Sequence, residues 1–160
     1  MKKKEVEESK KTCPMTTGNA PRQFFKIKNY PMTNLTYISP SFIVSNLKAS
    51  IAFYIDKLGF EVLFIGPDDD PFWAIVGRDK ISIFLKAIAP DVCPIPNHTR
   101  HKWARWDAYI SASDPDSLFE EYQSSGVAFH QPIKDDDDNL RGFEVSDTDG
   151  YVLFFGRPNS

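Results

Sequence analysis

The sequence predicts an α+β fold: two tandem β-α-β-β-β modules joined into one strongly curved mixed sheet, with the helices on its outer side. Three observations predict it. Two stretches, SNLKASIAFYIDKLGFEV (Ser45–Val62) and SDPDSLFEEYQSSGVAF (Ser113–Phe129), each read as an amphipathic helix that stops at a glycine and runs out into a strand. Each is preceded by one short strand and followed by strands separated by acidic turns. The two runs repeat at a spacing of about 68 residues: Asn46 matches Asp114, Tyr54 matches Tyr122, and Asp79–Phe84 matches Asp149–Phe154. Two copies of so long a unit do not make a solenoid.

The first module opens with SFIV, a short strand after Pro40. Ser45 and Asn46 are helix N-cap types, because a short side-chain oxygen can accept from a first-turn N–H. Leu47, Ile51, Tyr54 and Leu58 then fall on one helical stripe, and Gly59 supplies the left-handed residue that ends the helix. FEVLFI follows as a strand, GPDDDP as a turn, FWAIV as a strand, GRDK as a second turn and ISIFL as a strand. A proline-bearing connector, about Ala87–Lys102, holds Pro90, Pro94 and Pro96. The second module restarts with DAYISA as strand, Ser113 and Asp114 as cap, and Pro115 at the first helical position, where its missing N–H costs nothing. Leu118, Phe119 and Tyr122 make its apolar stripe and Gly126 ends it. VAFHQPI, RGFEVSD and YVLFF read as strands around the turns KDDDDN and TDG.

Residues 1–31 read as a flexible basic extension, polar and interrupted by Pro14, Gly18, Pro21 and Pro31, and residues 32–160 as the folded domain, with modules at about 40–86 and 103–158. The extension carries eight Lys/Arg and three Glu; the remainder carries 11 basic and 19 acidic residues, a net of −8. An acidic body disfavours nucleic acid and favours a cationic small molecule. No apolar run is long enough to span a bilayer, and KKKEVEESKK is no secretory leader. Cys13 and Cys93 stand apart without a CxxC motif, which suits a reducing cytoplasm. Aromatics make up 14% of the chain, 13 of them Phe, enough to fill a core and line a pocket. The acidic runs Asp68–Asp70 and Asp135–Asp138 lack the spacing of a calcium loop and read as hairpin tips.

The residues Val44, Asn46, Leu47, Ser50, Phe53, Tyr54, Leu58, Gly59 and Phe60, followed by Asp114 to Val127 and the turn Asp147-x-Asp149-Gly150, resemble the vicinal oxygen chelate superfamily. That superfamily includes glyoxalase I, extradiol dioxygenases, and fosfomycin- and bleomycin-resistance proteins. The resemblance covers about Pro40–Pro158 and implies the paired-module fold with a U-shaped sheet. It leaves function open, because the fold hosts lyases, dioxygenases, transferases and drug binders alike. It implies metal ligands at equivalent points of the two modules, which fall here on Ser39, Phe84, Asp107 and Phe154. Phenylalanine has no lone pair to give, so no metal and no other cofactor is expected, and catalysis is not favoured. The pattern is most similar to the metal-free, bleomycin-resistance-like branch. Its implied role is to hold a small aromatic or cationic compound in an aromatic cleft of a homodimer, by sequestration.

The residues expected to line that cleft are Trp73, Phe84, Trp103, Trp106, Asp107, Tyr109 and Phe154. Asp107 is expected to face the ligand's charge, with Trp103 or Trp106 folding over the rim. Two other readings stay open. One is a metal-dependent lyase, dioxygenase or transferase in which Asp107 converges with His98, His101 or His130. The other is a dimer module with no ligand. Deleting residues 1–31 is expected to shift the melting temperature by less than about 5 °C, on the order of 1–2 kcal/mol for a domain this size. A larger fall in a calorimetric scan would show that Phe24, Phe25 or Tyr30 docks on the domain.

Overall fold

The computed structural model describes residues 36–159. The expected extension, residues 1–31, lies outside them. The elements are β1 (Ser41–Ile43), α1 (Leu47–Leu58), β2 (Glu61–Gly66), β3 (Trp73–Arg78), β4 (Ile81–Lys86), α2 (Asn97–Arg100), β5 (Ala108–Ser111), α3 (Pro115–Ser124), β6 (Phe129–Asp135), β7 (Leu140–Ser146) and β8 (Val152–Pro158). Each module is thus β-α-β-β-β, as the repeat predicts. The one element not foreseen is α2, a single turn inside the proline-bearing connector. Hydrogen bonding divides the strands into two four-stranded sheets, β1-β4-β3-β2 and β5-β8-β7-β6, where the sequence suggested one continuous sheet. Both are mixed: β1 runs parallel to β4 and β5 parallel to β8, while the other neighbours are antiparallel. No helix among the described residues is long and apolar enough to cross a membrane.

The predicted caps form. Asn46 accepts from the Ala49 N–H at 3.0 Å, and Asp114 accepts from the Ser117 N–H at 3.2 Å. Gly59 and Gly126 take φ of 67° and 68°, the left-handed region where a Cβ would be strained. One face of each sheet and one stripe of each helix go into a single apolar core. Ala74, Val76, Ile83 and Leu85 enter it from the first sheet, and Phe143, Val145, Leu153 and Phe155 from the second. Tyr54, Leu58 and Tyr122 come from the helices. Strand alternation then turns Trp73, Ile75 and Phe84 away from the core on the first sheet. On the second sheet it does the same to Glu144 and Phe154.

The modules meet along a seam with two ends. At one end the turn after β7 docks on α1. Asp149 accepts from the Ser45 N–H at 2.9 Å and from the Ser50 hydroxyl at 3.2 Å. Tyr151 stacks on Phe42 with ring centroids 4.4 Å apart. Tyr54, fully buried, donates its hydroxyl to Asp147 at 3.0 Å. Asp147 also accepts from the N–H groups of Asp149 and Tyr151, both at 2.9 Å. At the other end Arg78 donates to the Leu58 carbonyl at 2.7 Å and to Glu121 at 2.7 and 2.8 Å, and lies 5.7 Å over the Tyr122 ring.

Burial pushes the Asp147 carboxyl up to about 6, against an ordinary 3.8, although its hydrogen bonds pull the other way. A carboxyl raised on folding binds a proton more readily in the native than in the unfolded state. Its contribution to stability is therefore largest below the unfolded value and is lost as pH rises from about 4 to about 6. Asp147→Asn removes that dependence. The stability of the variant relative to the parent should rise across this window, read from melting temperatures at successive pH values. Parallel curves would show that Asp147 does not titrate there.

Candidate functional site

The two faces turned away from the core carry most of the aromatic residues that the sequence singled out, in two separate clusters. On the first sheet, Phe64 and Trp73 pack at 4.6 Å, and Trp73 and Phe84 lie parallel at 6.3 Å. Cross-strand pairing of Phe84 with Ile75, and of Ile75 with Phe64, puts these side chains in one row. On the second sheet, Trp106 stacks on Phe154 at 4.3 Å, and Tyr109 stacks on Phe154 at 5.3 Å. Among the described residues no ring pair joins the two clusters. Trp103 belongs to neither: it is 82% exposed on the connector, edge-on to His101. Of these two tryptophans, Trp106 is the one that stacks on the second sheet.

Phe154 lies flat on its sheet because two glycines leave room for it. A Cβ on Gly142 or Gly156 would meet its ring at 2.5 or 2.6 Å. Phe154 is itself only 1% exposed, so the surface open to a ligand belongs to Tyr109, 45% exposed, and to half-buried Trp106.

Beside Phe154, at the paired position on β7, stands Glu144, 3% exposed. Its Oε1 accepts from Arg105 at 2.5 Å and from the Trp106 indole N–H at 2.7 Å. His130 Nε2 lies 3.7 Å from its other oxygen. Arg105 in turn sits 5.0 Å over the Trp106 ring. Gln131, paired with Glu144 across the ladder, has a buried amide nitrogen with no acceptor among the described residues. The connector thus brings Arg105 and Trp106 down onto a buried carboxylate, neutralising it and fixing the indole plane by both its edge and its face. Sequence reading passed over Glu144, Arg105 and Gln131, and offered His130 as a metal ligand converging with Asp107. A signal existed for Glu144: counting outward from the Asp147–Gly150 turn sets it opposite Phe154.

The positions implied for a metal do not suit one. Phe84 and Phe154 are engaged in aromatic stacking. The Ser39 and Ser82 hydroxyls share a hydrogen bond at 2.6 Å. Asp107 does not stand free toward a ligand as expected: one oxygen accepts from the Asn97 N–H and the other from the Val152 N–H, both at 2.8 Å. It ties the connector to β8. Nor do the histidines converge with it. The His98 and His130 rings lie 6.1 Å apart, and His101 packs on Trp103. Among the described residues no three His, Cys, Asp or Glu side chains come together in a metal-binding group.

A family profile described as "Glyoxalase/Bleomycin resistance protein/Dioxygenase superfamily" matches residues 35–155. The chain belongs to this superfamily. Among solved structures, a bleomycin-binding protein complexed with bleomycin superposes with a TM-score of 0.59 at 17% identity, over 79% of this chain and 100% of that one. The bleomycin-binding protein from Streptomyces verticillus, complexed with copper(II)-bleomycin, gives 0.57 at 24% identity, over 81% and 99%. An antibiotic-binding protein from Streptomyces sp. CB03234 gives 0.59 at 22% identity, over 80% and 100%. At these identities the likeness shows the superfamily fold. No curated protein sequence matches the chain.

Arg105→Met strips the buried Glu144 of its charged partner and should destabilise the fold by about 1–3 kcal/mol, discounted because the guanidinium is partly in water. The double variant Arg105→Met/Glu144→Gln should recover most of that loss, since the amide oxygen still accepts from Trp106. Urea midpoints measure both. Additive losses would show that the two side chains are not coupled.

Proposed function

We propose that this glyoxalase/bleomycin-resistance-like chain binds a small aromatic or cationic compound on the aromatic face of its second sheet and sequesters it without chemistry. The observation that carries this reading is the Trp106–Phe154–Tyr109 stack seated beside the buried Glu144. Planar rings with a few fixed polar groups are the composition of a small-molecule site. The exposed faces of Tyr109 and Trp106 offer stacking for a flat ring, worth roughly 0.5–1.5 kcal/mol per good contact. A cationic group is drawn by the acidic body and by Glu144, where it must compete with Arg105. The fold neighbours that bind bleomycin or another antibiotic support the same class of use.

The site is completed by a second copy in this reading. Val62, Leu63, Phe64 and Ile65 leave exposed apolar side chains along β2, the edge strand of the first sheet, and Phe72 adds another in the loop before β3. An apolar edge of that kind is a liability in a monomer and calls for cover. Two half-sites, one from each sheet, then face each other across the dimer. The residues placed there are Trp73 and Phe84 from one copy, and Trp106, Tyr109 and Phe154 from the other. Asp107 contributes by holding the connector that carries Trp106.

A thermal-shift screen of planar aromatic and cationic compounds on the full chain tests the reading. A hit present at about 100 times its Kd adds roughly 2.7 kcal/mol of stability. Trp106→Ala should then weaken the hit at least about tenfold, an effect of roughly 1.4 kcal/mol, while sedimentation shows a dimer. Failure of every such compound to bind, or turnover of a hit, would overturn it.

A further inference from the structure

The two ends of the module seam are built from matching parts, yet only one is filled. At the filled end, a three-residue turn, Thr148-Asp149-Gly150, carries a carboxylate onto the Ser45 N–H, and the Tyr151 ring covers Phe42. At the other end the strand ladders set Arg78 where Asp147 stands and Ile81 where Tyr151 stands. The turn there is only two residues, Asp79 and Lys80. It is too short to reach across: the Asp79 side chain stays 88% exposed. Phe42 is matched by Ile110, so both rings of the stacked pair are replaced by smaller side chains. The Ser113 N–H, counterpart of the Ser45 N–H, finds no acceptor among the described residues.

What these differences leave is a cavity of about 370 Å³, floored by Phe60, Ile81, Ile110, Leu118, Tyr122 and Phe155. Its rim includes Arg78, Asp79, Lys80, Ser111, Ser113 and Asp114. Two of the rim charges are already committed: Arg78 to Glu121, and Asp114 to capping Ser117. Lys80 has no ion-pair partner among the described residues. A gap of this volume has room for a single-ring molecule.

We infer that this cavity is a second binding site, apart from the aromatic face, for a small aromatic carboxylate. The ligand class is set by what fills the equivalent place at the other end: one carboxylate on a backbone N–H and one ring on an apolar floor. A free aryl acid supplies both, with its carboxylate on the Ser113 N–H and the Lys80 ammonium and its ring on Ile81 and Ile110.

Titration of the isotope-labelled full chain with phenylacetate, followed by amide resonances, tests this. The Ser113 and Lys80 amides should shift and saturate. Benzyl alcohol, which lacks the carboxylate, should bind at least about tenfold more weakly, the scale of one lost charge-assisted hydrogen bond. Ile81→Tyr rebuilds the filled seam and should abolish the shifts without lowering the melting temperature. Lys80→Gln, an exposed change that does not challenge folding, should weaken phenylacetate several-fold and leave benzyl alcohol unchanged. Shifts confined to Trp106 and Tyr109, shifts that persist in a folded Ile81→Tyr, or an equal response to acid and alcohol would overturn the assignment. Because the readout is local to the seam, its failure leaves the aromatic face untouched, and the reverse holds too.

Discussion

Both sheets bury their helix-covered faces in one core, and the opposite faces owe their availability to that. The core holds most of the apolar volume: Tyr54, Tyr122, Phe143, Phe155, Leu58, Ile83 and Leu85 are each less than 2% or about 2% exposed. A fully buried side chain of this size contributes about 1.5–3 kcal/mol, so the pairing of the modules is set by these residues. Polar contacts decide the register of the pairing. Tyr54 and Asp147 pin α1 to the turn after β7, and Arg78 ties the turn after β3 to α3. With the modules fixed through their cores, the residues that alternate outward have no structural duty to cover one another. They are free to be aromatic and partly exposed, as Trp73, Phe84 and Tyr109 are.

Much of this was legible in the sequence because it is local or repeated. The helices announced themselves through caps and stripes within a dozen residues, and Gly59 and Gly126 marked their ends. The duplication set Phe84 and Phe154 at equivalent places, and the ladders agree: Phe84 pairs with Ser41 as Phe154 pairs with Tyr109. The stripe of α1 holds, with Leu47, Tyr54 and Leu58 buried and Ile51 packed against the core. Ser50, which the apolar stripe does not include, is fully buried as well, because the Thr148–Asp149 turn lands on it. No periodicity reveals a partner 99 residues away.

The same limit explains the site. Asp107 sat at the position the family resemblance marks for a ligand, and only the folded connector shows its oxygens taken by Asn97 and Val152. Arg105 and Glu144 are 39 residues apart, and an arginine in a polar loop carries no mark of its future partner. Glu144 was closer to reach, since hairpin counting places it; its burial was not, because that comes from Trp106 folding down upon it. The division into two sheets was equally hidden, as it depends on β1 and β5 pairing only within their own modules.

The Arg105–Glu144 pair, buried at the carboxylate and partly in water at the guanidinium, is a poor device for stability, since taking the carboxylate out of water offsets much of the attraction. Its geometry argues for a different use. Glu144 holds the Trp106 indole by its N–H while Arg105 covers the indole face, so the ring over Phe154 has one orientation and few alternatives. A ring fixed in advance loses little entropy when a ligand stacks on it, and affinity rises without added contacts. An apolar residue at position 144 would pack as well against Phe154 but would leave the indole free to turn. On this argument Phe154 and Glu144 act as one feature: the phenylalanine supplies the flat floor where a ligating side chain would otherwise stand, and the carboxylate beside it holds the wall upright.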